Sequence, residues 1–441
     1  MAPPAGERPL LVAFYLPQFH PVPENDAWWG RGFTEWTNVV QARPLFEGHH
    51  QPHLPADLGF YDLRVPEVRE LQASMASAHG IDAFCYYHYW FDGRRVLHRP
   101  FDEVLRGGRP SLPFMLCWAN ENWTRAWDAG EHEVLLEQAY GPEERAAHVE
   151  YLVDAFRDER YLRIDDRPAF AIYRIGALPD ATGFVKDLRA ASEAAGVGDP
   201  LIIKFDTHGN FDDPADTGCD VASQFFPHGT REIGLEERAV DLAGPGNLVI
   251  PYDDAVAALF ELPVPEWTRY ECVTPRWDNT PRRGDGRSWM LHGSTPDAYE
   301  RWLRAVLARA PERGAGTSVV FVNAWNEWAE GAHLEPDLQW GDGYLRATAR
   351  AALGREPDRP ATAPVGIDDL PAADCEARYR DMYDRAVDLQ RRLTAVELSA
   401  QRRLDRAVGA LEARLREEHE LSTRLADQLS RRLGGGDIDD K

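Results

Sequence analysis

Residues 318–336 read SVVFVNAWNEWAEGAHLEP, an apolar, β-branched run that passes directly into a cluster of indoles, amides and carboxylates. The run Ser318–Ala324 has the length and residue preference of a buried strand. The same signature recurs upstream at Leu10–Leu16, Ile81–Tyr89, Phe114–Ala119, Ala169–Tyr173, Leu201–Phe205, Val221–Phe225 and Tyr270–Thr274. Helical spacing of apolar residues separates many of these runs, at Val65–Ala78, Glu143–Phe156, Gly183–Ala194 and Pro296–Ala310, and Gly80 supplies a left-handed cap after the first. Strand and helix alternating eightfold call for parallel strands joined by crossover helices. The α/β fold expected is therefore a (β/α)8 barrel with long βα loops over residues 1–354.

Beyond the barrel, residues 355–373 are rich in Pro, Ala and Asp and read as a linker. From Met382 the apolar positions Ala386, Leu389, Leu393, Val396 and Ala400 step by fours and threes, and after a stutter Leu404, Val408, Leu411 and Leu415 resume the seam. Residues 374–433 are expected to form a coiled-coil tail that joins copies of the chain or a partner, with one long amphipathic helix folded on the barrel as the alternative, and residues 434–441 a flexible end.

The net charge of −24 repels a phosphate backbone, which disfavours generic nucleic-acid binding, and nearly all of the acidic excess precedes residue 374. Cys85, Cys117, Cys219, Cys272 and Cys375 form no CxxC pair, and the first four lie in or beside strand-like runs, where a thiol acts as a small hydrophobe. The N-terminus lacks the pattern of a secretory leader and no apolar stretch is long enough to span a membrane, so the expected location is cytoplasmic.

Chemistry should sit where the strands end, at the C-terminal face of the barrel. Long non-periodic segments follow the first run (residues 20–59) and the sixth (226–248), as befits loops that build a site. In WNEWAEGAHLEP, Glu327 and Glu330 stand three residues apart, and a helical turn there would bring their Cβ atoms within roughly 5–6 Å. That spacing suits one acid and one base working on a glycosidic bond with retention of configuration. Like charge and burial against Trp325 and Trp328 should raise one of the two pKa values.

Other strand ends offer partners for a sugar, whose C–H faces stack on aromatic rings while amides and carboxylates take the hydroxyls. CWANENWTR supplies Trp118, Asn120, Glu121 and Trp123; Glu121 is also a rival acid, and one of the two indoles suits the core equally well. The first run and its loop supply Tyr15, Gln18, His20 and Trp36. His88 either binds a hydroxyl or is a satisfied core histidine. Asp206, Trp277, Asp278 and Asn279, and around the central motif Trp325, Asn326, Trp328, His333 and Glu335, complete the substrate-binding candidates. Arg282 and Arg283 suit a phosphate or acidic sugar, or else ion pairs with nearby acids. His49, His50 and His53 lie in a Pro-rich loop without the helical spacing or carboxylate of a zinc site, so no metal is assigned; no sequence feature calls for a cofactor.

The pieces AFYLPQFHPVPENDAWWGRGFTEWTNV, YDLRVPEVRELQ, GIDAFCYYHYWFDGRRVLHRPFDEVL, FMLCWANENWTRAWDAG, RWDNTPRR and NAWNEWAEGAHLEPD, spread from Ala13 to Asp337, resemble the WbsX-like family, bacterial relatives of the glycoside hydrolase family 99 endo-α-mannosidases. The resemblance implies a (β/α)8 barrel acting on cell-surface polysaccharide such as lipopolysaccharide. It also implies that Glu327 deprotonates the sugar 2-hydroxyl, which attacks C1, while Glu330 protonates the departing oxygen. The mannosidases commonly carry His where this chain has Ala329, so substrate preference does not transfer. Two other readings stay open: a glycosyltransferase that uses an activated donor, and a non-catalytic glycan-binding scaffold gathered by the tail.

Overall fold

In the computed structural model the described residues are 8–125, 130–228, 234–284, 286–313 and 316–357. The expected coiled coil, most of the linker and Cys375 lie outside them.

Eight parallel strands close into a barrel: β1 (Leu10–Tyr15), β2 (Ala83–Phe91), β3 (Phe114–Trp118), β4 (Arg167–Ile172), β5 (Leu201–Asp206), β6 (Val221–Gln224), β7 (Arg269–Val273) and β8 (Val319–Val322). Each pairs with its sequence neighbour, and β1 closes the ring by pairing Leu10 with Val319 of β8 and Val12 with Ala83 of β2. The strands are almost wholly buried because one face fills the barrel and the other meets helices, which explains their unbroken apolar composition. All eight expected strands are present.

The outer layer is α1 (Pro66–Ala78), α2 (Arg99–Gly107), α3 (Pro142–Phe156), α4 (Ala181–Ala194), α5 (Tyr252–Glu261), α6 (Pro296–Arg309) and α7 (Gly343–Leu353). After β5 the connection holds a short 3-10 turn, Pro214–Thr217, in place of a helix. Gly80, at φ +89°, closes α1 as expected. The loop after β1, expected to be non-periodic, contains two short helices, Pro23–Trp29 and Glu35–Val39. Cys85, Cys117, Cys219 and Cys272 are buried free thiols. Among the described residues no helix is long and apolar enough to cross a membrane.

Strand parity decides which side chains can reach the barrel mouth. Phe14, Phe205, Phe225 and Phe321 meet inside the barrel with ring centroids 4.9–5.4 Å apart, and Tyr87 stacks on Phe14 at 5.7 Å. This aromatic layer is the floor of the site. Residues one step away in sequence, such as Tyr15, Tyr86, His88 and Asp206, point outward.

Candidate active site

After β8 the backbone forms a tight loop in which Asn326–Glu327 pairs antiparallel with Ala332–His333 around the 3-10 turn Trp328–Glu330. Gly331 ends the turn at φ +63°, and a Cβ there would lie 2.9 Å from the backbone nitrogen of Asp278. Glycine is thus needed both for the left-handed conformation and for the close approach. In a 3-10 turn residues i and i+3 eclipse, so Glu327 and Glu330 emerge on one side.

Both carboxylates end on Arg282. Its Nη2 donates to Glu327 Oε2 at 2.7 Å and its Nη1 to Glu330 Oε1. The same guanidinium donates through Nε and Nη2 to Glu35 Oε1 at 3.1 and 2.6 Å. Glu35 is the first residue of the helix Glu35–Val39 and is wholly buried. Arg282 is held by the loop after β7, where Trp277–Asp278 pairs with Trp289–His292 and the one-turn helix Thr280–Arg283 projects between them. The expected pair of acids is therefore part of a cluster of three carboxylates on one arginine. For Arg282 the structure shows the second of the two readings of the arginine pair, ion pairs with nearby acids.

Burial, with the like charges of Glu330 and Glu35 adding to it, pushes the Glu327 carboxyl up to about 8 against the pull of Arg282. Burial likewise raises Glu35. Although burial works against its charge, Arg282 is held firmly protonated by Glu330, Glu35 and Glu327.

The cluster forms one wall of a cleft of about 220 Å³. Tyr87 and Tyr89 of β2, Tyr173 beyond β4 and His228 beyond β6 line it, and Trp123 stacks on Tyr89 with centroids 5.7 Å apart. Of the sequence candidates, Gln18, Glu121, Trp123, Glu327 and Glu330 face this cleft. Glu121 is tied to Arg174 and His208, each at 3.2 Å.

The remaining candidates are placed elsewhere, and the reason is parity or a polar handle turned inward. Tyr15 points to α1 and donates to Gln72 at 2.6 Å. His88 points to α3, where it meets His148 at 3.0 Å and stacks on Tyr151, the core alternative. Trp118 packs on His148 and Phe184. Asp206 lies on the outer barrel wall near Lys204 and Arg269, and burial pushes its carboxyl up to about 6. His20 is buried off the cleft, and burial lowers its pKa to about 4. Asn120 clasps the backbone of Arg174, and Asn326 clasps that of Leu16, each giving and taking one bond.

Trp36 donates to the Tyr61 carbonyl, Trp277 packs edge-on against Trp289, and Trp325 is wholly buried against Phe84. Asp278 accepts from Gln51 and Thr280 and pairs with His49 at 2.7 Å, while Asn279 bonds the backbone of Trp289; together they build the platform under Arg282. Trp328 stacks on His333 at 3.7 Å and donates to Glu335, which Tyr61 and Gln72 also contact. These side chains support the site from beneath. The abundant tryptophan expected to furnish stacking surfaces serves mostly as packing, with Trp123 the candidate that reaches the cleft.

The histidine run is divided between two networks. His49 holds Asp278, whereas His53, His333 and Asp337 come close enough together to hold a metal ion. Arg276 donates to both His333 and Asp337 there, so a resident cation already occupies those donors.

Sequence reasoning passed over Glu35, Tyr87, Tyr89, Tyr173 and His228 and left the role of Arg282 open. Alternation along β2 could have singled out Tyr87 and Tyr89, because Phe84 and Tyr86 belong to the opposite face. No local signal marks Glu35, which lies 247 residues from the arginine it binds.

Residues 11–348 match the family described as Glycosyltransferase WbsX. The uncharacterized protein WxcX of Xanthomonas campestris pv. campestris is 44% identical over 385 residues, covering 86% of this chain and 54% of the relative. The chain thus spans about half the length of the curated relatives it matches. Among solved structures, a glycoside hydrolase-like protein is similar at TM-score 0.49 and 13% identity, over 80% of this chain and 96% of its own. The glycoside hydrolase family 99 endo-α-mannosidase of Bacteroides thetaiotaomicron is similar at TM-score 0.47 and 16% identity, over 78% and 96%. On the extent of the family match, the chain belongs to the WbsX family.

Proposed function

We propose that this chain is a glycan-processing enzyme that cleaves or transfers a glycosidic bond of a bacterial surface polysaccharide or its precursor in the cytoplasm, with retention, through Glu327 and Glu330. The observation that carries the reading is the convergence of both carboxylates on one guanidinium at the mouth of the barrel, in a cleft lined by Tyr87, Tyr89 and Trp123.

In the first step ionised Glu327 takes the proton of the sugar 2-hydroxyl, O2 attacks C1, and the bond from C1 to the leaving oxygen breaks as Glu330 gives that oxygen its proton. In the second, water or an acceptor hydroxyl attacks C1 and opens the anhydro ring, Glu330 removes the attacking proton, and Glu327 returns a proton to O2. Two inversions leave the configuration unchanged. Backside attack requires a 2-hydroxyl trans to the leaving group. A base is most effective when its pKa lies near the working pH, and the raised value at Glu327 meets that condition.

The test is turnover of defined α- and β-glycosides by wild type, Glu327→Gln and Glu330→Gln. Turnover confined to glycosides with a trans 2-hydroxyl, lost by at least about 10²-fold in both variants on unactivated substrates, is expected. Full activity in either variant sinks the reading. The family description favours a second one, transfer from an activated donor, and consumption of a nucleotide sugar without action on free glycans would establish it.

A further inference from the structure

The third carboxylate of the cluster has no place in this two-acid chemistry, yet it is the most buried of the three. Glu35 takes two of the hydrogen bonds of Arg282, and its Oε2 is buried without a hydrogen-bond partner. It reaches the NEWAEG turn from the loop after β1, from the side opposite the cleft. We propose that Glu35 is a positioning residue that sets the proton count of the catalytic pair: by drawing on the charge of Arg282 it prevents that cation from ionising Glu327 and Glu330 together, so that a proton stays on the pair. The inference rests on the reading of Glu327 and Glu330 as acid and base.

One half-buried guanidinium cannot balance the two buried carboxylates of Glu35 and Glu327 together with half-buried Glu330, and uncompensated buried charge is expensive, so the group retains at least one proton. With Glu35 in place, Glu327 and Glu330 share Arg282 with a third carboxylate. With a neutral amide there, more of its charge falls on Glu327 and Glu330, and ionisation of both becomes more favourable.

The other groups facing Glu327 are Tyr87 and Tyr89 from β2, Tyr173 just beyond β4 and, across the cleft, His228 and Glu121, the latter paired with Arg174 and His208. None of these cations touches Glu327. On the far side Asp278 is already engaged by His49. Beside Glu330, its partner in the pair, Arg282 and Glu35 are therefore the charged groups whose balance acts on Glu327.

The experiment is a carboxyl 13C NMR titration of the full-length chain labelled at glutamate, with Glu327→Gln assigning the resonance, for wild type, Glu35→Gln and Glu35→Asp. In wild type Glu327 is expected to titrate well above the ordinary carboxyl range, at about 8. In Glu35→Gln its midpoint is expected to fall by at least about one pH unit, and Glu35→Asp, which keeps the charge, to recover part of the shift. An unchanged midpoint in a folded Glu35→Gln protein overturns the proposal, as does an equal shift in both variants. The readout needs no turnover, so it separates this inference from the catalytic reading, which stands or falls on the activity of Glu327→Gln and Glu330→Gln.

Discussion

Arg282 is the residue that matters most, because its charge is what makes two buried acids and a half-buried third tolerable in one place. Replacing it with methionine leaves those carboxylates without a cation, an outcome that typically costs about 3–5 kcal/mol. The loss should be largest above pH 8 and smaller near pH 5, where the carboxyls take up protons; chemical denaturation at the two pH values checks this. Glu327 behaves oppositely. Its folded pKa of about 8 lies above the ordinary 4.5, so the stability it permits is complete below 4.5 and is lost as pH rises toward 8. Glu327→Gln should therefore stabilise the protein at pH 8, by about 0.5–2 kcal/mol, with little gain at pH 4.5. A melting temperature unchanged or lowered at pH 8 would contradict the burial argument.

At the scale of elements, the turn from Glu327 to Gly331 and the parity of β2 make separate predictions. Gly331→Ala drives a methyl group onto the backbone of Asp278 and forces a β-carbon into the left-handed region. A loss of about 1–3 kcal/mol with a fall in turnover is expected, measured by melting and by rate. Along β2, His88→Ala should lower stability and leave KM unaltered, whereas Tyr89→Phe should alter KM with little effect on melting. All eight strands were legible as apolar runs, because burial on both faces leaves them apolar from end to end. Which of their terminal side chains face the mouth was not legible. An eight-strand ring reverses the fate of a residue with each step, so Tyr15 and His88 fall outside while Tyr87 and Tyr89 fall inside. The catalytic candidates escaped this ambiguity because they stand on a turn where spacing, not parity, decides. Arg282 and Glu35 were illegible for a different reason, since their relation exists only once the loops after β1 and β7 meet.

For the molecule as a whole, the acidic barrel and the heptad seam that follows it are distinct expectations. Sedimentation of the full chain and of residues 1–357 separates them: a larger assembly that reverts to monomer on truncation supports the coiled coil, and equal monomer masses remove it. The barrel itself is a frame that holds two buried acids and a half-buried third beside an aromatic layer, at the wall of a cleft of about 220 Å³. The most direct test of that claim is the pH dependence of kcat/KM for a glycoside that the wild-type enzyme turns over. If Glu327 is the base, the rate constant rises with pH through an apparent pKa near 8 that disappears in Glu327→Gln. A rate constant that instead falls through that pKa would make Glu327 the proton donor and contradict the assignment.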